Sequence, residues 1–428
     1  MLHLLDLRGA GAGLVASLPR PAAAKEPPVA AVKAILADVR ERGDAAVRDC
    51  TERFDGVRLG DFRVPAPELE AALATLPVGL REALEAARDA IEAFHREQLR
   101  PDIRHSRDGI VVREVQRPVD RAGLYVPGGL ARYPSTVLMT AVPARVAAVP
   151  ELVLCAPPGR DGHIPDVTLA AAALAGVDEV FAVGGAQAVG AMAYGTETVR
   201  PVDVIVGPGS LYVSLALREV AGVVGVPSSF AGPSEVVVIA DETTPVEYAA
   251  IDVVVQAEHG PNGMAWLVTW SQSTAVAVTE AVSRLVAGSP RRAELEATLS
   301  DGGYAVLVDG PGDAMAVANA VAPEHLEIMS ADPEALVPMV RNAGAVFTGP
   351  FAPASVGDYI AGPSHVLPTY GSARFAGALR VDDFLKQIHV VSLDRGALER
   401  VAPHVAAMAE AEGLAAHAAS VRLRTDPR

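Results

Sequence analysis

Between residues 110 and 240, short runs rich in β-branched residues alternate with alanine-rich runs of helical length, and nothing else in the chain narrows its fold as much. Residues 152–156, 179–183, 203–206 and 235–240 read as buried strands, and 141–148, 167–175, 187–194 and 212–220 as the helices between them. Apolar strands separated by helices are the signature of βαβ units, because a parallel pair needs a long crossover and both faces of such a sheet are covered. After Asp241 the rhythm restarts. Strands are expected at 265–270, 305–308 and 345–348, and helices at 246–258, 274–286, 314–321 and 333–341. Two parallel α/β units follow. Ahead of them, 27–54, broken at Arg42-Gly43, and 67–99, interrupted at Pro77, read as charged surface helices. Residues 396–419 read as one or two helices outside either sheet.

Length and composition agree. A chain of 428 residues exceeds one ordinary core, and with only 4% aromatic residues Ala, Val and Leu must fill the interior. A net charge of −16 repels nucleic acid and anionic membranes, so neither is expected as a partner. Only Lys25, Lys33 and Lys386 are lysines, so no phosphate loop with its Gly-Lys-Ser/Thr signature exists and few amines could form a Schiff base. Cys50 and Cys155 form no CxxC, which excludes a disulfide framework or a thiolate zinc site. Cys155, inside a strand-like run, reads as a small buried hydrophobe. The opening residues lack the basic leader of a signal peptide, and the longest weakly polar run, 180–195, is too short and glycine-rich to span a bilayer. A soluble cytoplasmic protein is expected.

A dinucleotide is allowed but not required by the glycines. No GxGxxG follows a strand, and Gly9-Ala-Gly-Ala-Gly13 has the wrong spacing. Gly128-Gly129, Gly184-Gly185 and Gly207-Pro-Gly209 stand where strands end. They suit close approach of a ligand to the backbone, or simply turns.

Four polar clusters carry possible chemistry. In Gln256-Ala-Glu-His259 the amide and the imidazole are three residues apart and share a helix face, as two metal ligands would; a helix cap is the other reading. Pro323-Glu324-His325 joins an acid to an imidazole, suited to a general base and a water activator; taken alone, a solvated turn explains it better. The run from Val356 through Asp358 to His365 is a long glycine- and proline-rich loop, of the kind that carries function. Glu412 and His417 are five apart, which no ideal helix face accommodates, so a kink or a helix end is implied; a surface helix with incidental charges is the default reading. No HExxH occurs, so a metal site would have to be assembled by the fold.

Read in order, Gly123-Leu-Tyr-Val-Pro-Gly-Gly129, Gly184-Gly-Ala-Gln187, Ala231-Gly-Pro-Ser-Glu235, Gln256-Ala-Glu-His259, Ala322-Pro-Glu-His-Leu-Glu327, Asn342-Ala-Gly-Ala, Gly357-Asp-Tyr, His365-Val-Leu-Pro-Thr369 and the 412–417 segment resemble the successive motifs of the histidinol dehydrogenase family, with Leu5-Asp-Leu-Arg8 ahead of them. The resemblance spans essentially the whole chain. It implies two incomplete Rossmann-like parallel-sheet domains with helical N- and C-terminal extensions, in an intertwined homodimer. Residues 1–22 would be the first extension, 23–124 with 236–379 the larger domain, 125–235 the NAD-side domain, and 380–428 a helical tail completing the partner's site. It further implies one zinc per subunit, held by Gln256, His259 and Asp358 together with His417 of the partner subunit. Glu324 and His325 would be the catalytic pair. Ser234, His365 and Glu412, along with His325 and the metal ligands, would contact L-histidinol, and Tyr125, Gln187 and Ser210 would contact NAD. The implied reaction carries L-histidinol through histidinal to L-histidine.

Three departures cluster in the second unit. Ser210 stands where the family has Asn, Leu217 where it has Lys, and 226–230 reads Val-Pro-Ser-Ser-Phe where an Ile-Asp pair is usual. They admit two further readings: a paralogue acting on another amino or sulfonated alcohol, and a zinc-binding dimer without turnover.

Overall fold

The protein is described from a computed structural model covering residues 2–19, 27–128, 132–227, 234–257 and 263–426. Among these residues the strands are, in chain order, β1 (His3–Asp6), β2 (Arg63–Val64), β3 (Ile103–Arg107), β4 (Ile110–Pro118), β5 (Arg121–Tyr125), β6 (Glu151–Ala156), β7 (Glu179–Ala182), β8 (Val204–Val206), β9 (Glu235–Ala240), β10 (Met264–Thr269), β11 (Gly303–Leu307), β12 (His325–Met329), β13 (Ala345–Thr348) and β14 (Leu385–Leu393).

They form three sheets. The largest has six parallel strands in the order β1-β11-β10-β9-β12-β13. The second has the order β2-β7-β6-β5-β8, parallel except for β2. The third, β14-β4-β3, is antiparallel. Helices cover both faces of the two parallel sheets, as continuous apolar strands demand. On the six-stranded sheet, Val253 of the helix Val246–Ala257 and Val278 of Gln272–Gly288 pack against Val236 and Val238. The opposite face buries Val237, Ile239, Leu326 and Ile328 under the helix Pro311–Val321.

The two expected α/β units are both present, with several differences in their makeup. Residues 333–341, expected as a helix, hold only the 3-10 turn Val337–Met339, because Pro338 supplies no N–H to an α-helical ladder. The helix expected at 141–148 is Pro134–Val146, with Pro134 at its first turn, where a missing N–H costs nothing. The first residues are not a free extension, since β1 pairs with β11 at the sheet edge. The final segment is not wholly helical: β14 pairs with β4 over its full length before the helices Arg395–Ala411 and Ala415–Thr425 begin.

The helices of 29–96 also sit elsewhere than the sequence reading put them. Val32, Leu36 and Val47 pack on one face of the five-stranded sheet, with Val153 and Phe181. Leu84, Ala87 and Ile91, spaced on one helical stripe, pack on the other with Leu152 and Leu154. They therefore associate with the smaller sheet rather than with the strands after 236. An amphipathic pattern fixes which face is buried but not which sheet buries it.

Candidate active site

The strand order of the larger sheet reverses at β9, which has β10 on one side and β12 on the other. His325 opens β12, opposite Val236 of β9 and Ala345 of β13. Local chemistry fixes that start. The helix Pro311–Val321 ends on Ala322, whose φ of 53° turns the chain sharply. Asn319 Oδ1 then accepts the N–H groups of Arg341 (2.7 Å) and Asn342 (3.1 Å), which brings the lead-in to β13 alongside. Gly344 completes the approach: a Cβ there would lie 2.6 Å from the Glu324 carbonyl oxygen. The motif around Asn342 thus serves to hold two strand entries together.

Glu324 and His325 are not a solvated turn. They are 8% and 3% exposed, because the neighbouring strands and the helix Ala354–Tyr359 close over them. His325 Nδ1 lies 4.0 Å from Glu324 Oε2, and Nε2 lies 3.5 Å from Asp358 Oδ1. Gly357 lets that short helix seat against Phe347, where a Cβ would meet the ring at 2.6 Å, and the same ring lies 6.0 Å from the His325 ring. Burial pushes the imidazole pKa down, but the hydrogen bond to Asp358 and the charges of Glu324 and Asp358 outweigh it and hold the value above that of ordinary histidine.

The contacts continue into the smaller unit. His365 Nδ1 donates to the Asp358 carbonyl at 2.9 Å. A carbonyl only accepts, so Nδ1 carries the proton, and in the neutral ring Nε2 accepts from the Thr136 hydroxyl at 3.1 Å. Ser364 Oγ also donates to the Met139 carbonyl at 3.1 Å. Thr136 and Met139 lie on the helix Pro134–Val146, which follows β5. Hydrogen bonds of the segment 364–365 thus join the amino edge of the large sheet to a helix that starts at the carboxyl edge of the small one.

Of the expected metal ligands, Gln256 is buried at the last turn of Val246–Ala257 and Asp358 faces His325. His259 lies outside the described residues. Glu412 and His417 are exposed on the two final helices, whose shared cluster, Ala406, Ala409 and Ala418, is separate from both sheet cores. Glu412 caps one helix and His417 stands in the first turn of the next, so the expected break is there. Among the described residues no three His, Cys, Asp or Glu side chains converge as a metal centre. Ser234 immediately precedes β9, and its carbonyl accepts the Met264 N–H at 3.1 Å.

The expected cofactor contacts gather at the carboxyl edge of the smaller sheet, whose strand order reverses between β6 and β8 on either side of β5. Open α/β sheets bind ligands at such a switch point. Tyr125 ends β5, buried, and its hydroxyl accepts the Gly185 N–H at 3.0 Å. Burial pushes that hydroxyl up to about 12. Gly207, with φ of 125°, comes so close to β5 that a Cβ would lie 2.1 Å from the Tyr125 carbonyl oxygen. Ser210 is exposed at the start of the helix Leu211–Val220, and Gln187 is buried in Gly185–Tyr194. Cys155 is buried and pushed up to about 12 by that burial, as a packing residue would be.

Thr136, Glu235 and Glu327 escaped sequence reasoning as candidate site residues. The two acids had a signal, since Glu235 opens an otherwise apolar strand and Glu327 lies within one. Glu235 is pushed up to about 8, chiefly by burial and against the hydrogen bond it accepts from Gly371; the neighbouring Glu324 charge adds to the rise. Nothing near Thr136 in sequence marks it.

A buried acid–imidazole pair, set where one parallel sheet's amino edge meets a second parallel unit, defines an α/β enzyme equipped to move protons out of contact with bulk water. The model of the histidinol dehydrogenase family matches residues 18–425, and the chain belongs to that family. It is 50% identical over 394 residues to the histidinol dehydrogenase of Parasynechococcus marenigrum, covering 92% of this chain and 90% of that one. It is 48% identical over 406 residues to that of Moorella thermoacetica, covering 94% and 96%. The crystal structure of histidinol dehydrogenase from Elizabethkingia anophelis matches with a TM-score of 0.93 at 33% identity, over 99% of this chain and 98% of that one. Among the described residues no helix is long and apolar enough to cross a membrane.

Proposed function

We propose that the chain oxidises L-histidinol through histidinal to L-histidine, reducing two NAD, at the junction of its two parallel sheets. The observation that carries this reading is the continuous run of contacts from Thr136 through His365 and Asp358 to His325 and Glu324. It fixes a proton-transfer pair relative to the unit that would hold the dinucleotide.

The donors suit zinc. A carboxylate from Asp358, an amide oxygen from Gln256 and imidazoles from His259 and the partner's His417 form an oxygen and nitrogen set that zinc accepts. Asp358 already presents Oδ1 to an imidazole, so its carboxylate is aimed into the site. When bound, zinc supplies a fixed point for the substrate's amine and imidazole nitrogens, which orients the carbinol carbon. NAD, when bound, accepts the hydride.

The chain's own groups handle protons and positions. His325, in its neutral form, takes the alcohol proton as the carbinol is oxidised. Glu324, ionised beside it, takes a proton from the water that adds to the aldehyde. His365, held by Thr136 and Asp358, stands at the wall between the two units. The partner's Glu412 gives an imidazole-bearing substrate a carboxylate partner. Burial of the pair keeps bulk water from the aldehyde between the two oxidations. On the cofactor side, Gly207 and the turn at Gly184-Gly185 let the chain pack closely at the switch point, where side chains at these positions would collide with Tyr125, Pro157 and Gln187, and Ser210 stands at a helix start where a phosphate is stabilised.

Purified protein supplied with zinc, L-histidinol and NAD should form about two NADH for each histidine, as a route without aldehyde release requires. One NADH with free aldehyde, or a much higher specificity constant for an alcohol lacking imidazole, would overturn the assignment.

A further inference from the structure

Asp252, Glu327 and Ala354 belong to a helix, a strand and a second helix far apart in sequence, and they meet in the interior. Glu327 is 1% exposed, and Asp252 is buried on Val246–Ala257. The two carboxyl groups lie within hydrogen-bonding reach of each other, and Glu327 Oε1 accepts the Ala354 N–H at 3.3 Å. Burial, then the contact with Asp252, pushes Glu327 up to about 9. The pair therefore shares a proton, as two facing buried carboxyls must.

Each member stands one structural repeat from a residue of the active site. Asp252 precedes Gln256 by four residues on the same helix face. Ala354 precedes Asp358 by four on the short helix. Glu327 follows His325 by two, so both side chains leave the same face of β12. We infer that Glu327 is a positioning residue: by joining Asp252 to the amino end of the helix Ala354–Tyr359, it sets Gln256, His325 and Asp358 in register. This rests on the reading of Gln256 and Asp358 as zinc ligands. A plain packing role does not explain the pair. An aliphatic side chain at 327 would match Leu326, Ile328 and Met329 without burying a carboxyl group.

The test is zinc affinity, measured by chelator competition on the full chain. Glu327→Gln can still accept from Ala354 and donate to Asp252, so its affinity should stay within about threefold of the unaltered protein, whereas Glu327→Leu should weaken zinc by about 10- to 100-fold. A packing role predicts the reverse order, with Leu at least as good as Gln, and that order would overturn the inference. Asp358→Ala separates this from the ligand assignment. If it binds zinc normally, the assignment itself fails. If it loses zinc while Glu327→Leu does not, only the positioning role fails. Should Glu327→Leu not fold, Ala354→Pro deletes the N–H donor at a first helical position that tolerates proline. Weakened zinc binding there supports the inference, and unchanged binding overturns it.

Discussion

Side chains of adjacent residues in a strand point to opposite faces, yet the groups of Glu324 and His325 come within 4.0 Å of each other. The reason is position: β12 begins at His325, so Glu324 sits in the lead-in, where its side chain is free of the pleat. Their adjacency was legible in the sequence, but their burial was not, because the covering groups, Phe347 and the helix Ala354–Tyr359, arrive from later in the chain. Glu235 belongs to the same scale. Its carboxyl is held at about 8 in the folded chain, against 4.5 for a free glutamate. The folded state thus binds this proton more tightly than the unfolded one. The stability Glu235 contributes is complete below pH 4.5 and is lost as pH rises through about 8. The full loss is on the order of 5 kcal/mol, at about 1.4 kcal/mol for each tenfold difference in proton affinity between the two states. Urea unfolding between pH 5 and 8 should show a decline that Glu235→Gln largely removes; parallel curves for the two proteins would contradict the assignment.

Elements were most legible where apolar periodicity ran long. Strands β9 and β13 fall where the apolar runs put them, as do the breaks at Gly43 and Pro77, while the break between Glu412 and His417 follows from their spacing instead. The antiparallel sheet went unread although its hairpin carries a turn signal: Asp108-Gly109, both at positive φ, joins β3 to β4. Exposed polar strands such as β3 show no buried face to detect. The strand β1, His-Leu-Leu-Asp, is polar at both ends and mostly exposed, so no buried apolar run marks it. The turn after β8 is a sharper case, because a glycine at its first position could have served a ligand or merely a turn. Its geometry combines both demands, since Gly207 has φ of 125° and no room for a Cβ. Gly207→Ala should cost about 2–4 kcal/mol through strain and overlap with β5. Because the displaced backbone lines the switch point, NAD affinity should fall along with the urea midpoint. A midpoint shift with unaltered NAD binding would remove that turn from the cofactor site.

At the scale of the molecule, the division into two parallel sheets was visible in sequence, whereas the allotment of helices to sheets was not. The helices of 29–96 carry the same kind of apolar stripe whichever sheet they cover, and only the tertiary contacts of Leu36, Leu84 and Ile91 decide it. The two final helices pose the converse problem. Their cluster of three alanines buries little surface, and Met408 and Leu423 are left exposed. An element so poorly covered within its own chain fits a role on a second copy, which is how the partner's His417 would reach Asp358. The mixed oligomer tests this most directly. His417→Ala would damage only the tail and Glu324→Gln only the proposed catalytic pair, and each alone should be inactive. Co-expressed with distinct tags, they should form mixed dimers with one intact site each, restoring about a quarter of unaltered activity in the random mixture. Isolated mixed dimers with no activity above either parent would contradict a site completed across two chains.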